Sequence, residues 1–338
     1  MNSLTTPKLL AMCELISRHV GVATRSVLRH PTRMNLLSIE IGGSKLQVFA
    51  GNSGGEILER CRFTVDRELG GEGIRAKIAE ALPALITRWK PSAIGVGYGG
   101  PVDWKTGRIK CSHHVKGWDD FPLGEWLAAQ AELPVFVEND ANVAALGEAL
   151  HGAGKGRSPV VWVNSGSGVG GGLVVDGSLY HGAVPGEMEI GHLRLDKSGT
   201  IVEDRCSGWA VDRAVREAAK SEPASVLARL TRDMTNGEAR MILPALNEGC
   251  PAADRVLTAA MDDLAFALSH VVQLTHPEII VVGGGLHLIG EPLRQRLANA
   301  LPRWVMSAFS TPQVALAKLG EDAVPVGGLA LAALGVAG

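Results

Sequence analysis

The stretch LLSIEIGGSKLQVFAG, residues 36–51, decides the fold. Leu36–Ile41 and Leu46–Ala50 are apolar runs on either side of Gly42-Gly43, and they read as two strands joined by a tight turn. Ile57–Val65 reads as a third strand, so the series opens with antiparallel pairing. A helix is expected around Glu72–Lys90, where Ile74, Ile78, Leu82, Leu85, Ile86 and Trp89 recur at helical spacing and Pro91 stops the run. The strand Ala93–Tyr98 then runs into Gly99-Gly100-Pro101. Helix 121–132, strand Val135–Val137 and helix 141–150 follow.

The same order begins again at Pro159. Strand Val160–Val163 leads to the glycine run Gly166–Gly172, then to strand Leu173–Val175 and the hairpin signal Asp176-Gly177. Helices are expected over 208–220, 238–248 and 252–275. Strand Ile279–Val282 meets Gly283-Gly284-Gly285, and helix 290–301, strand 313–317 and helix 326–336 complete the chain. A β-hairpin followed by alternating β and α, met twice, predicts a duplicated α/β architecture. Its expected parts are an extension over 1–35, a smaller domain over 36–150 and a larger one over 151–338. The final helix is expected to return to the first domain.

Composition agrees with two sizeable cores: 338 residues, 46% of them hydrophobic. Basic residues number 33 against 35 acidic ones, for a net charge of -2, which excludes bulk electrostatic attraction to nucleic acid. The five cysteines are odd in number and widely spaced; free thiols in a reducing, cytoplasmic compartment are expected. No apolar run is expected to reach the roughly 20 residues that span a bilayer, so no membrane role is expected. Residues 7–28 have the pattern of an amphipathic helix. It is open whether this is a truncated regulatory arm or a poorly ordered extension.

Three glycine-rich turns each follow an apolar strand: Gly42-Gly43-Ser44-Lys45, Gly166-Ser167-Gly168 and Gly283-Gly284-Gly285. Glycine lets backbone N–H groups approach phosphate oxygens, and the serines add donors. None is a P-loop. The G-x-G-x-x-G at 166–171 precedes a strand rather than a helix, against a dinucleotide fold. In Glu138-Asn139-Asp140-Ala141-Asn142, a carboxylate sits where a strand becomes a helix. It can cap that helix, or it can point into a cleft and take a proton from an attacking hydroxyl. Glu189, His192 and Glu203 suit a ring of sugar hydroxyls, each of which donates and accepts; a metal site and solvated charge are the alternatives, and for zinc one histidine with two glutamates is a poor structural set.

Seven segments in order then resemble the ROK family (repressors, open reading frames, kinases). They are IEIGGSKLQ at 39–47, GVGYGGPVD at 95–103, ENDAN at 138–142, SGSGVGGG at 165–172, EIGH at 189–192, VEDRCSG at 202–208 and VVGGG at 281–285. The resemblance implies a duplicated actin/hexokinase-like (ribonuclease H-like) two-domain architecture with an interdomain cleft. It implies phosphorylation of a hexose by ATP with Mg²⁺, glucose and its 6-hydroxyl being the expected acceptor. Asp140 would be the catalytic base. Gly42, Gly43, Ser44, Lys45, Gly166, Ser167 and Gly168 would hold the phosphates, with Gly283, Gly284 and Gly285 at the adenosine. Gly100, Asn139, Glu189, His192 and Glu203 would meet the sugar. A homodimer is the expected assembly.

Three departures bear on that expectation. Glu40 stands where the family usually has Asp before the first phosphate turn; it keeps the charge and is expected in the outer shell of Mg²⁺. Met188 replaces a Gly before the sugar-contacting Glu. The family's C-x-C-G-x-x-G-C zinc loop is missing and the chain is shorter there, so no structural zinc is expected. Two rival functions stand beside a kinase: a sugar-responsive regulator, for whose DNA-binding domain residues 1–35 are too short, and a sugar-binding protein that has lost catalysis.

Overall fold

The computed structural model describes residues 33–338, apart from Ser44, Arg67, His113, His114 and Glu187. The expected helix over 7–28 and the site candidate Ser44 lie outside the described residues.

Two five-stranded sheets carry the fold. The first has the order β3-β2-β1-β4-β7, built from β1 (Asn35–Ile41), β2 (Lys45–Asn52), β3 (Ile57–Thr64), β4 (Ile94–Tyr98) and β7 (Val135–Asn139). The small hairpin β5–β6 (Val102–Asp103, Arg108–Ile109) lies outside it. The second has the order β10-β9-β8-β11-β12, built from β8 (Val160–Ser165), β9 (Val169–Val175), β10 (Ser178–Leu179), β11 (Ile279–Gly283) and β12 (Gln313–Leu316). In each, the first three strands pair antiparallel and the last two are parallel. The repeated order is the duplicated actin/hexokinase-like architecture.

The opening strand reads as an almost unbroken apolar run because both its faces are covered. Leu37, Ile39 and Ile41 pack with Ile74, Ile78 and Leu82 of helix Gly70–Trp89. Leu36, on the other face, packs with Leu329 and Ala332 of the closing helix Ala323–Ala337. In the second sheet, Val161 and Val163 face Leu257, Leu264 and Leu268 of helix Pro251–Thr275. The alternate Val160 and Trp162 pack with Ala141, Ala145 and Ala149 of helix Asp140–Leu150. That helix leaves the first sheet to cover the second, and the closing helix makes the reverse journey.

The two exchanged helices cross at glycines. A Cβ added to Gly327 would lie 1.8 Å from the Val143 carbonyl oxygen, and one on Gly147 would lie 2.4 Å from that of Ala323. Neither position has room for a side chain. Such close backbone contact fixes Asp140, at the start of its helix, relative to both sheets. The closing segment also corrects an expectation: Gly320–Ala337, with a mean hydropathy of 1.3, is long and apolar enough to cross a membrane. Here Gly328 lies against Ser38 of β1, and the Gly328 carbonyl against Gly95 of β4.

Other differences are local. Helix 238–248 is a 3-10 turn, Glu238–Met241, followed by helix Ile242–Asn247. The short helices Val202–Cys206 and Val226–Thr231 were not anticipated. The run Gly166–Gly172 is not one loop, because Gly170, Gly171 and Gly172 belong to β9. A Cβ on Gly172 would meet that of Ala145 at 2.6 Å, so this glycine admits the crossing helix.

Candidate functional site

Asp140 is the first residue of helix Asp140–Leu150, and its neighbour does the capping. Asn139 Oδ1 accepts from the backbone N–H of Ala141 at 2.9 Å and of Asn142 at 3.3 Å. The two readings of ENDAN thus divide between adjacent residues: Asn139 satisfies the helix end, and the Asp140 carboxylate is left to line the cleft. Asn139 Nδ2 also donates to Gly100 O at 3.2 Å, tying the helix start to the glycine turn after β4. A Cβ on Gly99 would stand 3.3 Å from Asp140 Oδ2, so that glycine keeps space open beside the carboxylate.

Burial, and then the negative charge of Glu40, push Asp140 up to about 6 from an ordinary 3.8. The Ala141 N–H and the Lys45 ammonium pull the other way and are outweighed. A carboxyl tuned close to neutrality is ionised at physiological pH yet basic enough to accept a proton.

Asp140 also lines a cleft of 430 Å³ between the two sheets, within the roughly 300–1,000 Å³ range of small-molecule sites. Glu40, Lys45 and Asp140 line it from one side, and Trp162, Asn164, Gly284 and Gly285 from the other. Glu40 is buried but paired: Lys45 Nζ lies 2.8 Å from Oε1, and Gln47 Nε2 donates to Oε2 at 2.8 Å. Arg62 in turn donates to Gln47 Oε1 at 2.8 Å, so the carboxylate is held from two sides.

The glycine turns differ in what they do. Gly42 N–H donates to Lys45 O at 3.0 Å, closing the first turn beside Glu40. In the second, Gly166 N–H donates to Gly168 O at 2.9 Å, and Gly166 O accepts from Gly208 N–H at 2.7 Å. In the third, Gly284 and Gly285 line the cleft but Gly283 does not. Gly283 is buried in β11, where a Cβ would lie 1.9 Å from the Trp162 ring, so its glycine admits the indole and not a nucleotide.

Glu203 has a partner the sequence did not suggest. Its Oε2 accepts the Val169 N–H at 2.9 Å, fastening the second glycine turn, so the carboxylate is already oriented from one side. Glu189 precedes the 3-10 turn Ile190–His192 and His192 ends it, and both are exposed. That turn rests on β9, since a Cβ on Gly191 would lie 2.2 Å from Val169 O. The segment after His192, where the family's cysteine loop is missing, folds around Asp196. Its carboxylate accepts from the backbone N–H groups of Ser198, Gly199 and Thr200 and from the Ser198 hydroxyl. The Ser198 and Thr200 side chains hold Asp196 well below the usual carboxylate range. Cys206 turns inward instead, its thiol donating to Ala260 O at 3.4 Å.

Several residues of the site were missed from sequence. Trp162 and Asn164 stand on β8, and His287 and Leu288 on the 3-10 turn Gly285–Ile289. Asn164 lies between two glycine turns: its Oδ1 is 2.5 Å from a Cβ built on Gly284, and its Nδ2 3.5 Å from one built on Gly166. The available signal was its place, two residues before Gly166 on an apolar strand.

The donor set fits a hydrated Mg²⁺ beside phosphates. Two carboxylates, Glu40 and Asp140, face one cleft, and the charge of the first raises the second. Mg²⁺ typically takes one or two carboxylates, with waters and phosphate oxygens.

Comparison with known proteins agrees with this geometry. Glucokinases from Halalkalibacterium halodurans and Thermotoga maritima are 31% and 29% identical to this chain; each alignment covers 86% of this chain, and 93% and 95% of the respective relatives. The crystal structure of a ROK family glucokinase from Streptomyces griseus, in complex with glucose and AMPPNP, superposes with a TM-score of 0.76 at 28% identity. That superposition covers 89% of this chain and 99% of the other. With the ROK family model matching residues 36–334, nearly all of the described structure, the chain belongs to the ROK family.

Proposed function

We propose that this chain is an ATP-dependent hexokinase of the glucokinase type, with glucose the expected sugar and its 6-hydroxyl the acceptor. The observation that carries the proposal is Asp140, raised to about 6 and set between an open glycine turn and the 430 Å³ cleft. In the proposed reaction the sugar oxygen bonds to the terminal phosphorus of ATP, the bond to the bridging oxygen breaks, and ADP leaves. Asp140 orients the hydroxyl and accepts its proton late, because the transition state is loose and positioning supplies most of the rate.

The first and second glycine turns would approach the phosphates, with the Gly42 and Gly166 N–H groups kept for closing the turns themselves, and Lys45 adds a positive charge. Glu40 and Asp140 would hold Mg²⁺ through its waters, and that ion when bound neutralises phosphate charge. Gly284 and Gly285 line the adenosine end. Gly100, Asn139, Glu189, His192 and Glu203 meet the sugar hydroxyls. We take the enzyme to work in the cytoplasm as a homodimer, without nucleic acid.

The test is ADP release measured by a coupled assay over a panel of hexoses. Sugar-dependent release with glucose preferred is expected. Release that no hexose stimulates overturns the kinase assignment, and a preference for another hexose overturns the choice of glucose.

A further inference from the structure

One buried carboxylate has no part in the proposed chemistry. Glu138 is 1% exposed and immediately precedes Asn139 and Asp140. Its Oε1 accepts from the Asn139 backbone N–H at 2.8 Å and from Asn142 Nδ2 at 3.1 Å. Its Oε2 meets His181 Nε2 at 2.5 Å. One of the two groups must donate in this contact, and replacing either side chain with an apolar one leaves the other without its partner.

His181 comes from the other half of the molecule, just after β10. Its ring stacks on Trp104, from the β5–β6 turn, with centroids 4.1 Å apart and planes 16° from parallel. The Trp104 indole nitrogen is itself buried without a hydrogen-bond partner among the described residues, and a Cβ on Gly186 would lie 3.5 Å from it. The imidazole is therefore gripped on its face by the first half and at its nitrogen by the segment that carries Asp140. It also begins the loop that runs through Gly186 to Glu189 and His192.

We propose that His181 is a positioning residue: through Glu138 and Trp104 it pins the sugar-facing loop, residues 181–192, to Asn139 and Asp140, and so sets hexose affinity. This rests on the kinase assignment above. The physical basis is the cost of leaving a buried carboxylate oxygen without its donor, which is large enough to distort the segment around it.

The test compares wild type with His181→Ala, His181→Gln, Glu138→Gln and the double variant His181→Ala, Glu138→Gln. His181→Ala is expected to raise the hexose KM about tenfold while the ATP KM stays within about twofold. His181→Gln, which keeps an N–H donor, should recover part of that loss. The double variant, with no buried charge left to satisfy, should be no worse than His181→Ala alone. Equal rises in both KM values, or strictly additive losses in the double variant, overturn the proposal. A second measurement needs no substrate. Amide hydrogen exchange over 182–192 and at Asn139 should quicken in His181→Ala, and unchanged exchange overturns the clamp. If the wild type phosphorylates no hexose, the kinase assignment fails while exchange still decides whether the clamp exists.

Discussion

The segment bearing Asp140 and the segment facing the sugar meet at one site but are built differently. Residues 138–142 are fixed from every side. Glu138 is buried, Asn139 caps the helix, and that helix crosses the closing helix with backbone against backbone. Residues 188–200 present Glu189 and His192 to solvent, and 196–200 turn about the exposed carboxylate Asp196, with no cysteine motif. The difference teaches that the proposed chemistry sits on the rigid part, where small displacements are most costly, and recognition on the adaptable part.

The largest test of that contrast removes the base. Asp140→Asn keeps the shape of the side chain and its place at the helix start, yet kcat should fall by about 10²–10⁴-fold, the usual worth of a positioned base. ATP binding, measured by titration calorimetry, should change little. Stability should move the other way. A carboxyl held at about 6 instead of 3.8 makes the folded state bind protons more tightly than the unfolded one. The resulting penalty is fully present above pH 6 and disappears below the ordinary value. Asparagine removes it, so at pH 7.5 the variant should be more stable by about 1–3 kcal/mol, read as a higher Tm. A variant that turns over normally would show that the base lies elsewhere.

The rigidity of that segment can be attacked at a distance. Gly327→Ala puts a methyl group 1.8 Å from the Val143 carbonyl oxygen, a distance that backbone must shift to relieve. Overpacking of this kind costs about 1–3 kcal/mol, so thermal unfolding should fall by several degrees, and kcat should fall with it. An unaltered Tm would mean that the two helices slide freely and that the crossing does not hold Asp140 in place.

Much of this was legible in the residues. The strands announce themselves through apolar runs ending in glycine, and ENDAN carries both a cap and an acid in adjacent letters. What stayed hidden is tertiary. Gly283 and Gly284 are alike in sequence, but one admits a tryptophan ring and the other lines the cleft. Gly170–Gly172 look like loop, but they are strand because a helix from the other half must come close. His181 carries no local signal, since its partners Glu138 and Trp104 lie far away along the chain. Glu203 is a sugar candidate by motif, yet its hydrogen bond to Val169 appears only once two distant turns are adjacent.

The adaptable segment should respond differently. Asp196→Ala removes the acceptor that gathers three backbone N–H groups into a turn far from the core. The hexose KM should rise about threefold to tenfold as Glu189 and His192 lose a fixed orientation, with kcat and the ATP KM nearly unchanged. A Tm shift of several degrees would contradict the picture of a loop that contributes recognition and little stability.

The smallest effect concerns the charges beside Asp140 in the cleft. Since Asp140 must be ionised to accept a proton, kcat/KM for the hexose should rise with pH through about 6 and then level. Burial contributes most to that value and Glu40 next. In Glu40→Gln the burial remains, the repelling charge is gone, and Lys45 is freed from its 2.8 Å ion pair to act on Asp140 alone. The last two changes both lower the value, while the remaining burial keeps it raised: the acidic limb should move to lower pH, by less than about one unit, without returning to 3.8. The rate at the plateau will also change if Glu40 helps to hold Mg²⁺, but the position of the limb is independent of its height. A limb that stays at 6 would mean that burial alone tunes the base, and a limb that moves upward would mean that the Glu40 charge does not act on Asp140 at all.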